Sequence, residues 1–342
     1  MKAAVIEAVG RLVVRDLPMP EPGEHQALCE LTYGAVCAGT DNHLVGGSKP
    51  FCSWFQMPAI LGHESIGRVV KLGAKVRHLK VGDLVTRVGT PPVGGVNIAW
   101  GGFAEFGIAS DWRAMLEDGA SAAQVKDLLV QQVLPAGSDP AAATMLITWR
   151  ETWSWLCRLG LRPGMRVCIA GSGGNGFSFA AHARNLGCAV TVLGGANRAD
   201  VAGRLGVSLI DYRAADATQR LKARVGAGFE LVVDAVGRPS AMEPVLPMLA
   251  PDAILGIYGF DDVANYRLNP LVAPGRFTIS GKGGYDEAEA HDAVMRFWRA
   301  GLLDARDFLG DLGKPYALAD INDALAAVRE RRALKTLVKL HG

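Results

Sequence analysis

The run Val36-Cys37-Ala38-Gly39-Thr40-Asp41-Asn42-His43 places a thiol, a hydroxyl, a carboxylate and an imidazole within a few residues of one another. Further on, Leu61-Gly62-His63-Glu64-Ser65-Ile66-Gly67 sets an imidazole beside a second carboxylate, after a glycine that permits a tight backbone. Thiolate, imidazole and carboxylate all bind zinc, and a catalytic zinc takes three protein ligands and keeps a fourth position open. Cys37, His63 and Glu64 make such a set. Cys52, in KPFCSW, is a weaker substitute for the thiol.

A second constellation is Gly171-Ser172-Gly173-Gly174-Asn175-Gly176, which fits G-x-G-x-x-G. Glycines alone would be a weak signal. Between the apolar run RVCIAG and the helical segment FSFAAHARNLG they predict a turn whose backbone amides meet a pyrophosphate. The end of the next strand reads Leu193-Gly194-Gly195-Ala196-Asn197-Arg198 and has no carboxylate before Asp200. An acidic residue there would hold the ribose hydroxyls of NAD and repel a 2′-phosphate. Its absence, with Asn197 and Arg198 in place, favours NADP, with NAD the second possibility. The plainer reading of Arg198 is an ordinary solvated side chain.

These residues need elements to hold them. AAVIEA, LVVRDL, ALCELTY, SIGRVVKLG and DLVTRV are short, β-branched and bounded by Gly or Pro, predicting an irregular β barrel in the first 110 or so residues. His78, in KVRHLKVGD, falls in a loop. From about residue 138 the texture alternates. SDPAAATMLITWRETWSWLCRLG predicts one helix with Pro140 near its start and Gly160 after its end. RVCIAG, CAVTVLGG, SLIDYR, ELVVDAVG, AILGIYGF and FTISGKGG then follow as strands with helices between, the pattern of a doubly wound α/β domain. EAEAHDAVMRFWRAG is a further helix; ADINDALAAVRERRA is amphipathic, with Asp320 as its N-cap; LKTLVKL closes as a strand.

Composition bounds the partners. The 342 residues are about half apolar, enough for two domains with cores, and carry a net charge of +2 with no basic block or acidic tail. A small-molecule substrate is expected, and neither nucleic acid nor a membrane surface. The six cysteines form no C-x-x-C pair, which gives no disulfide framework and none of the common structural zinc patterns. No apolar run reaches the eighteen or so residues of a membrane span, and the N-terminus lacks a signal peptide's core, so the cytoplasm is the expected compartment.

Taken together, GHESIGRVVKLGAKVRHLKVGDLV, GGFAEF, RPGMRVCIAGSGGNG and the LKTLVKL ending resemble the zinc-containing medium-chain dehydrogenase/reductase superfamily of alcohol, sorbitol and threonine dehydrogenases, over essentially the whole chain. The resemblance implies an α/β architecture: a chaperonin-10-like β-barrel catalytic domain (1–137 and 308–342) and a doubly wound Rossmann domain (138–307), with the active site in the cleft between them. It implies hydride transfer between NADP(H) and an alcohol or ketone. One catalytic zinc would be held by Cys37, His63 and Glu64, Glu64 binding directly or exchanging with water. Thr40 would bond the substrate oxygen and relay its proton toward His43, and Asp41 would orient a ligand. Tyr212, in LIDYR, would flank the adenine end of the cofactor, as in related NADPH quinone reductases. A homodimer or homotetramer is expected.

The chain also departs from the family. TRVGTPPVGGVNIAWGGF stands where relatives with a structural zinc carry four cysteines, so that ion is not expected. Leu146 falls near the place where alcohol dehydrogenases supply a further thiol to the catalytic metal. The family reads Cys-x-Ser/Thr-Asp, whereas Thr40 here is three after Cys37 and Ala38 occupies the ligand's register. Either the loop bulges by one residue so that Cys37 still reaches the ion, or the site has lost a ligand; the intact GHE run favours the bulge. Trp54, Phe55 and Trp100 are candidate pocket walls or domain packing. Two alternatives remain: a zinc-independent NADPH reductase of enones or quinones on the same fold, and a non-catalytic NADPH-binding protein.

Overall fold

The computed structural model describes residues 1–49 and 51–341. They divide into two compact units, Met1–Ile147 together with the chain from Phe308 onward, and Thr148–Asp307. The passage from the first unit into the second lies within the helix Met145–Arg158.

The first unit opens with β1 (Lys2–Ala8), β2 (Arg11–Asp16), β3 (Gln26–Ala35), β4 (Ala59–Ile60), β5 (Ser65–Leu72), β6 (Leu84–Thr86), β7 (Asn97–Ile98) and β8 (Phe106–Ser110). One sheet runs β2-β1-β4-β7, and in the other β3 pairs with both β5 and β8. The period-two pattern of strands is plain in β3: Ala27, Cys29 and Leu31 are fully buried while Leu28, Glu30 and Thr32 are partly exposed. Short strands facing a shared apolar interior, with Ile6, Leu31, Ile60 and Phe103 at its centre, make the barrel-like unit that the sequence predicts. The chain leaves β4 through Gly62, at φ +104; a Cβ there would lie 2.6 Å from the Phe103 backbone nitrogen, so only glycine lets the strand turn into His63 at this point.

The second unit is built on β9 (Arg166–Ala170), β10 (Ala189–Gly194), β11 (Ser208–Asp211), β12 (Phe229–Asp234), β13 (Leu249–Ile257) and β14 (Phe277–Ser280). All are parallel, in the order β11-β10-β9-β12-β13-β14. The order reverses at β9, which makes the sheet doubly wound and puts a crevice at the carboxyl end of that strand. Val167, Cys168, Ile169 and Ala170 of β9 are all buried, as expected of a central parallel strand covered on both faces. The chain then returns to the first unit with β15 (Tyr316–Ala317), the helix Ile321–Arg329 and β16 (Leu337–Lys339), which pairs antiparallel with β3.

Several local expectations change. The single helix predicted across residues 138–160 is two, Pro140–Ala143 and Met145–Arg158. Between them the Thr144 hydroxyl donates to the Ala141 carbonyl at 2.7 Å, and that backbone tightens to an i to i+3 bond. Asp320 stands at the N-cap of Ile321–Arg329 but makes no capping bond with its side chain. That helix is anchored instead by Ile321, Ala324, Leu325 and Val328, buried at helical spacing. Gly174, Asn175 and Gly176 belong to the helix Gly174–Asn185 rather than to the turn before it. His78 is exposed, with its Nε2 2.7 Å from Glu117. Among the described residues no helix is long and apolar enough to cross a membrane.

Candidate active site

Three chain segments meet at the end of β3. The Ala35 amide donates to the Glu64 carbonyl at 2.8 Å and the Val36 amide to the Thr336 carbonyl at 2.9 Å. These backbone bonds bring the runs 37–43, 63–64 and 335–336 side by side although they are distant in sequence.

The segment that follows β3 is helical from its first residues. It is the helix Ala38–Val45, with Cys37 at its N-cap. The Asp41 amide donates to the Cys37 carbonyl at 3.0 Å, and the Asp41 carboxylate accepts the Cys37 amide at 2.8 Å, so the carboxylate satisfies a backbone donor the helix start leaves open. A helical turn brings positions three and four after the thiol back beside it, and the Cys37 sulfur lies 3.6 Å from the Thr40 hydroxyl. Cys37 Sγ, one nitrogen of His63 and one oxygen of Glu64 all lie within 4.8 Å of one another, and all three residues are buried. Cys52 is not in this group.

Behind the cluster, Asp41 is fully buried with its Oδ1 3.3 Å from His63 Nδ1, while His63 Nε2 is 3.8 Å from Glu64. This is the arrangement that fixes an imidazole ligand's orientation and leaves its other nitrogen for a metal. Burial presses the His63 imidazole toward neutrality, but the Asp41 carboxylate and then Cys37 outweigh it and push its pKa up to about 10. A thiol, an imidazole and a carboxylate in one dry pocket, with a second carboxylate holding the imidazole, fit a zinc ion in both donor type and spacing.

One residue of the site was missed in the sequence. Lys335, only 2 % exposed, places its ammonium 2.8 Å from Glu64 Oε1 and 2.7 Å from Oε2. Burial favours loss of its proton, but the Glu64 charge and, behind it, Cys37 and Asp41 hold its pKa above the ordinary lysine value. A lysine inside the apolar run ALKTLVKL was the available signal.

Thr40 and His43, three apart on one helix, share a face, and the His43 ring stacks on Phe51 at 5.3 Å. Trp100 lies 5.0 Å from the His63 ring and meets Trp54 edge-on at 4.8 Å. Trp100 holds φ +66, a backbone state rare for an aromatic residue. Trp54 is half-exposed and, with Phe55, walls an open cavity of about 340 Å³.

In the second unit the glycine turn closes on itself. A Cβ on Gly176 would stand 2.1 Å from the Gly171 carbonyl oxygen, so helix and strand approach as only glycine allows. Gly173 is the N-cap of the helix Gly174–Asn185 and has open space where a Cβ would point. The Gly195 amide donates to Ser172 Oγ at 3.2 Å, tying this turn to the end of β10. Asn197 is exposed and Arg198 half-buried in the short turn Ala196–Arg198. Tyr212 comes beside them, its amide donating to the Gly194 carbonyl at 3.1 Å and its ring, 47 % exposed, carrying the Arg213 guanidinium at 5.0 Å. Arg213 is a second cation here that the sequence reading passed over.

Comparison with known proteins bears on both constellations. Residues 23–117 match the alcohol dehydrogenase GroES-like domain and residues 176–299 the zinc-binding dehydrogenase domain. The chain is 30 % identical to an L-galactonate-5-dehydrogenase of Escherichia coli strain K12, covering 73 % of each protein, and 31 % identical to an alcohol dehydrogenase of Rhizobium meliloti strain 1021, covering 76 % of this chain and 77 % of that one. The chain belongs to the zinc-containing medium-chain dehydrogenase/reductase superfamily. It is an enzyme of that superfamily's alcohol dehydrogenase type, with the superfamily's zinc and nucleotide chemistry. The fold agrees: the structure of 2R,3R-butanediol dehydrogenase from Bacillus subtilis superposes with a TM-score of 0.81 over 99 % of both chains at 18 % identity. Leu146, which counting in the sequence puts near the further thiol of alcohol dehydrogenases, is fully buried.

Proposed function

We propose that the protein transfers a hydride between NADP(H) and an alcohol or ketone, a secondary alcohol, polyol or sugar-like molecule, at one zinc ion held by Cys37, His63 and Glu64. The observation that carries this reading is the buried thiol, imidazole and carboxylate within 4.8 Å, with Asp41 behind His63. Zinc bound there supplies a Lewis acid that lowers an alcohol's pKa toward neutrality or polarises a ketone.

The protein's own groups do the rest. Asp41 holds the His63 ring so that Nε2 faces the cluster. Thr40, whose hydroxyl lies beside the Cys37 sulfur, bonds the substrate oxygen and takes up or returns its proton. His43, on the same helix face, carries that proton onward. Trp100 and Trp54 wall the approach and exclude water. The turn 171–173 and the N-terminus of the helix Gly174–Asn185 take the cofactor diphosphate, and Asn197, Arg198 and Tyr212 take the adenosine end, the guanidinium favouring a 2′-phosphate. The exposed edge of β14 supports pairing of a second copy, giving a homodimer or homotetramer.

The deciding experiment follows NADPH oxidation and NADP reduction over a panel of ketones and alcohols, with metal analysis of the purified protein. Bound zinc and activity abolished by a chelator are expected. Zinc-free protein whose activity survives the chelator would sink the metal reading in favour of an enone or quinone reductase, and a preference for NAD would overturn the reading of Gly194 and Arg198.

A further inference from the structure

A polar chain in the second unit starts at the glycine turn and ends on a cation. The Asn175 amide, in the first turn of the helix Gly174–Asn185, donates to the Tyr258 hydroxyl at 3.1 Å. Tyr258, just past β13 and 3 % exposed, donates that hydroxyl to Glu151. The same Glu151 oxygen pairs with the Lys282 ammonium at 3.3 Å. Lys282 follows β14, and its nitrogen lies 4.1 Å from the Tyr258 ring centre, 4.9 Å from Phe260 and 5.9 Å from Tyr285. Three ring faces and one carboxylate thus hold the ammonium in place, with its side chain only 18 % exposed.

Position gives this cage its meaning. In an open parallel sheet ligands bind outside the carboxyl ends of the strands, and a dinucleotide spans two halves that meet where the strand order reverses. Arg198 and Tyr212 stand on the β10–β11 half; Tyr258 and Lys282 stand at the carboxyl ends of β13 and β14, on the other. If the first half takes adenosine, the second takes nicotinamide. The oxidised nicotinamide ring carries a positive charge and the reduced ring none. A fixed ammonium on that half repels only the oxidised form, while Glu151, projecting from a helix, partly neutralises it.

We propose that Lys282, caged by Tyr258, Phe260 and Tyr285 and tied to Glu151, is a positioning and specificity residue that makes the protein prefer the reduced over the oxidised cofactor. This inference rests on the dinucleotide reading above.

The test measures dissociation constants of NADPH and NADP+, and of NADH and NAD+, by calorimetry on the zinc-loaded protein and on two variants whose melting is followed in parallel. Wild type is expected to bind the reduced form about tenfold more tightly. Lys282→Met, which keeps the chain length and ring contacts, should lower that ratio several-fold, chiefly by strengthening binding of the oxidised form. Glu151→Gln, which removes the neutralising charge, should raise the ratio. Equal weakening of both redox forms would overturn the proposal, because a lysine that bonds the carboxamide or only supports the fold affects them alike. Ratios that do not move in opposite directions in the two variants would overturn it as well. A wild-type protein that binds neither nucleotide pair would instead overturn the dinucleotide reading itself.

Discussion

Cys37 and Lys335 define the pocket at the scale of single residues, one as the displaced thiol and the other as a buried cation. Replacing Cys37 with Ala is expected to abolish stoichiometric zinc and activity together; unchanged zinc affinity, by competition with a chromophoric chelator, would remove Cys37 from the ligand set. Asp41→Asn, which weakens the hold on His63, should lower zinc affinity about 10- to 100-fold. Lys335→Met leaves the Glu64 carboxylate buried without its ammonium, a loss of about 3–5 kcal/mol when one partner of a buried pair is removed. Zinc offers that carboxylate another cation, so the fall in melting temperature should be larger with chelator than with zinc; equal losses would separate Lys335 from the metal. The ligand types were legible in the sequence as residues able to bind zinc. Cys37 was expected in the ligand set by way of a bulge; what linear spacing did not show is that it stands at the N-cap of a helix, where a turn brings positions three and four back beside it. Lys335 was hidden for a related reason, since alternation in a closing strand reads a lysine as solvent-facing.

Elements carry the next set of consequences. The strands around the sites follow their apolar patterns, and the glycine turn stands where its flanking strand and helix predict it. Gly176→Ala forces a Cβ against the Gly171 carbonyl and should cost both stability and nucleotide binding. Gly173→Ala meets nothing within 4 Å and has an ordinary φ of −83, so its melting temperature should hold while nucleotide affinity falls. Comparable destabilisation by the two would show that Gly173 serves packing and not close approach of a ligand. The helix Gly174–Asn185 also makes the fold sensitive to pH. His182 is fully buried on it with Nε2 2.9 Å from the Trp149 carbonyl, and burial pushes its pKa down to about 3. The unfolded chain takes up this proton near the ordinary value of about 6.5. Its stabilising effect is therefore complete above that pH and is lost as pH falls toward 3, at about 1.4 kcal/mol per pH unit. His291, pushed down to about 4 by burial and then by Arg150, adds to the same slope. Denaturant melts between pH 7 and 4 should show it, shallower in His182→Gln; an unaltered slope would assign the acid sensitivity elsewhere.

At the scale of the whole molecule the edge of the parallel sheet bears on how copies assemble. Among the described residues β14 pairs with β13 alone, with Ile279 52 % exposed on it and Leu271 91 % exposed in the segment before it. Such an edge templates pairing with another strand. Light scattering should find a dimer or tetramer, and Ile279→Lys should shift it toward monomer; a wild-type monomer at micromolar concentration would end that expectation. In the sequence the expectation of a dimer or tetramer came only from the resemblance, since exposure at an edge belongs to the folded sheet. The buried pocket of the other unit has a global property too. A bound ion would need Cys37 as thiolate and His63 neutral; Cys37, Asp41 and Glu64 then sum to three negative charges and Lys335 returns one, so a dication would leave the cavity electroneutral. A monovalent ion would leave it anionic in a medium where net charge is costly. Lys335 thus offsets one of the buried negative charges that a bound ion would otherwise have to balance alone.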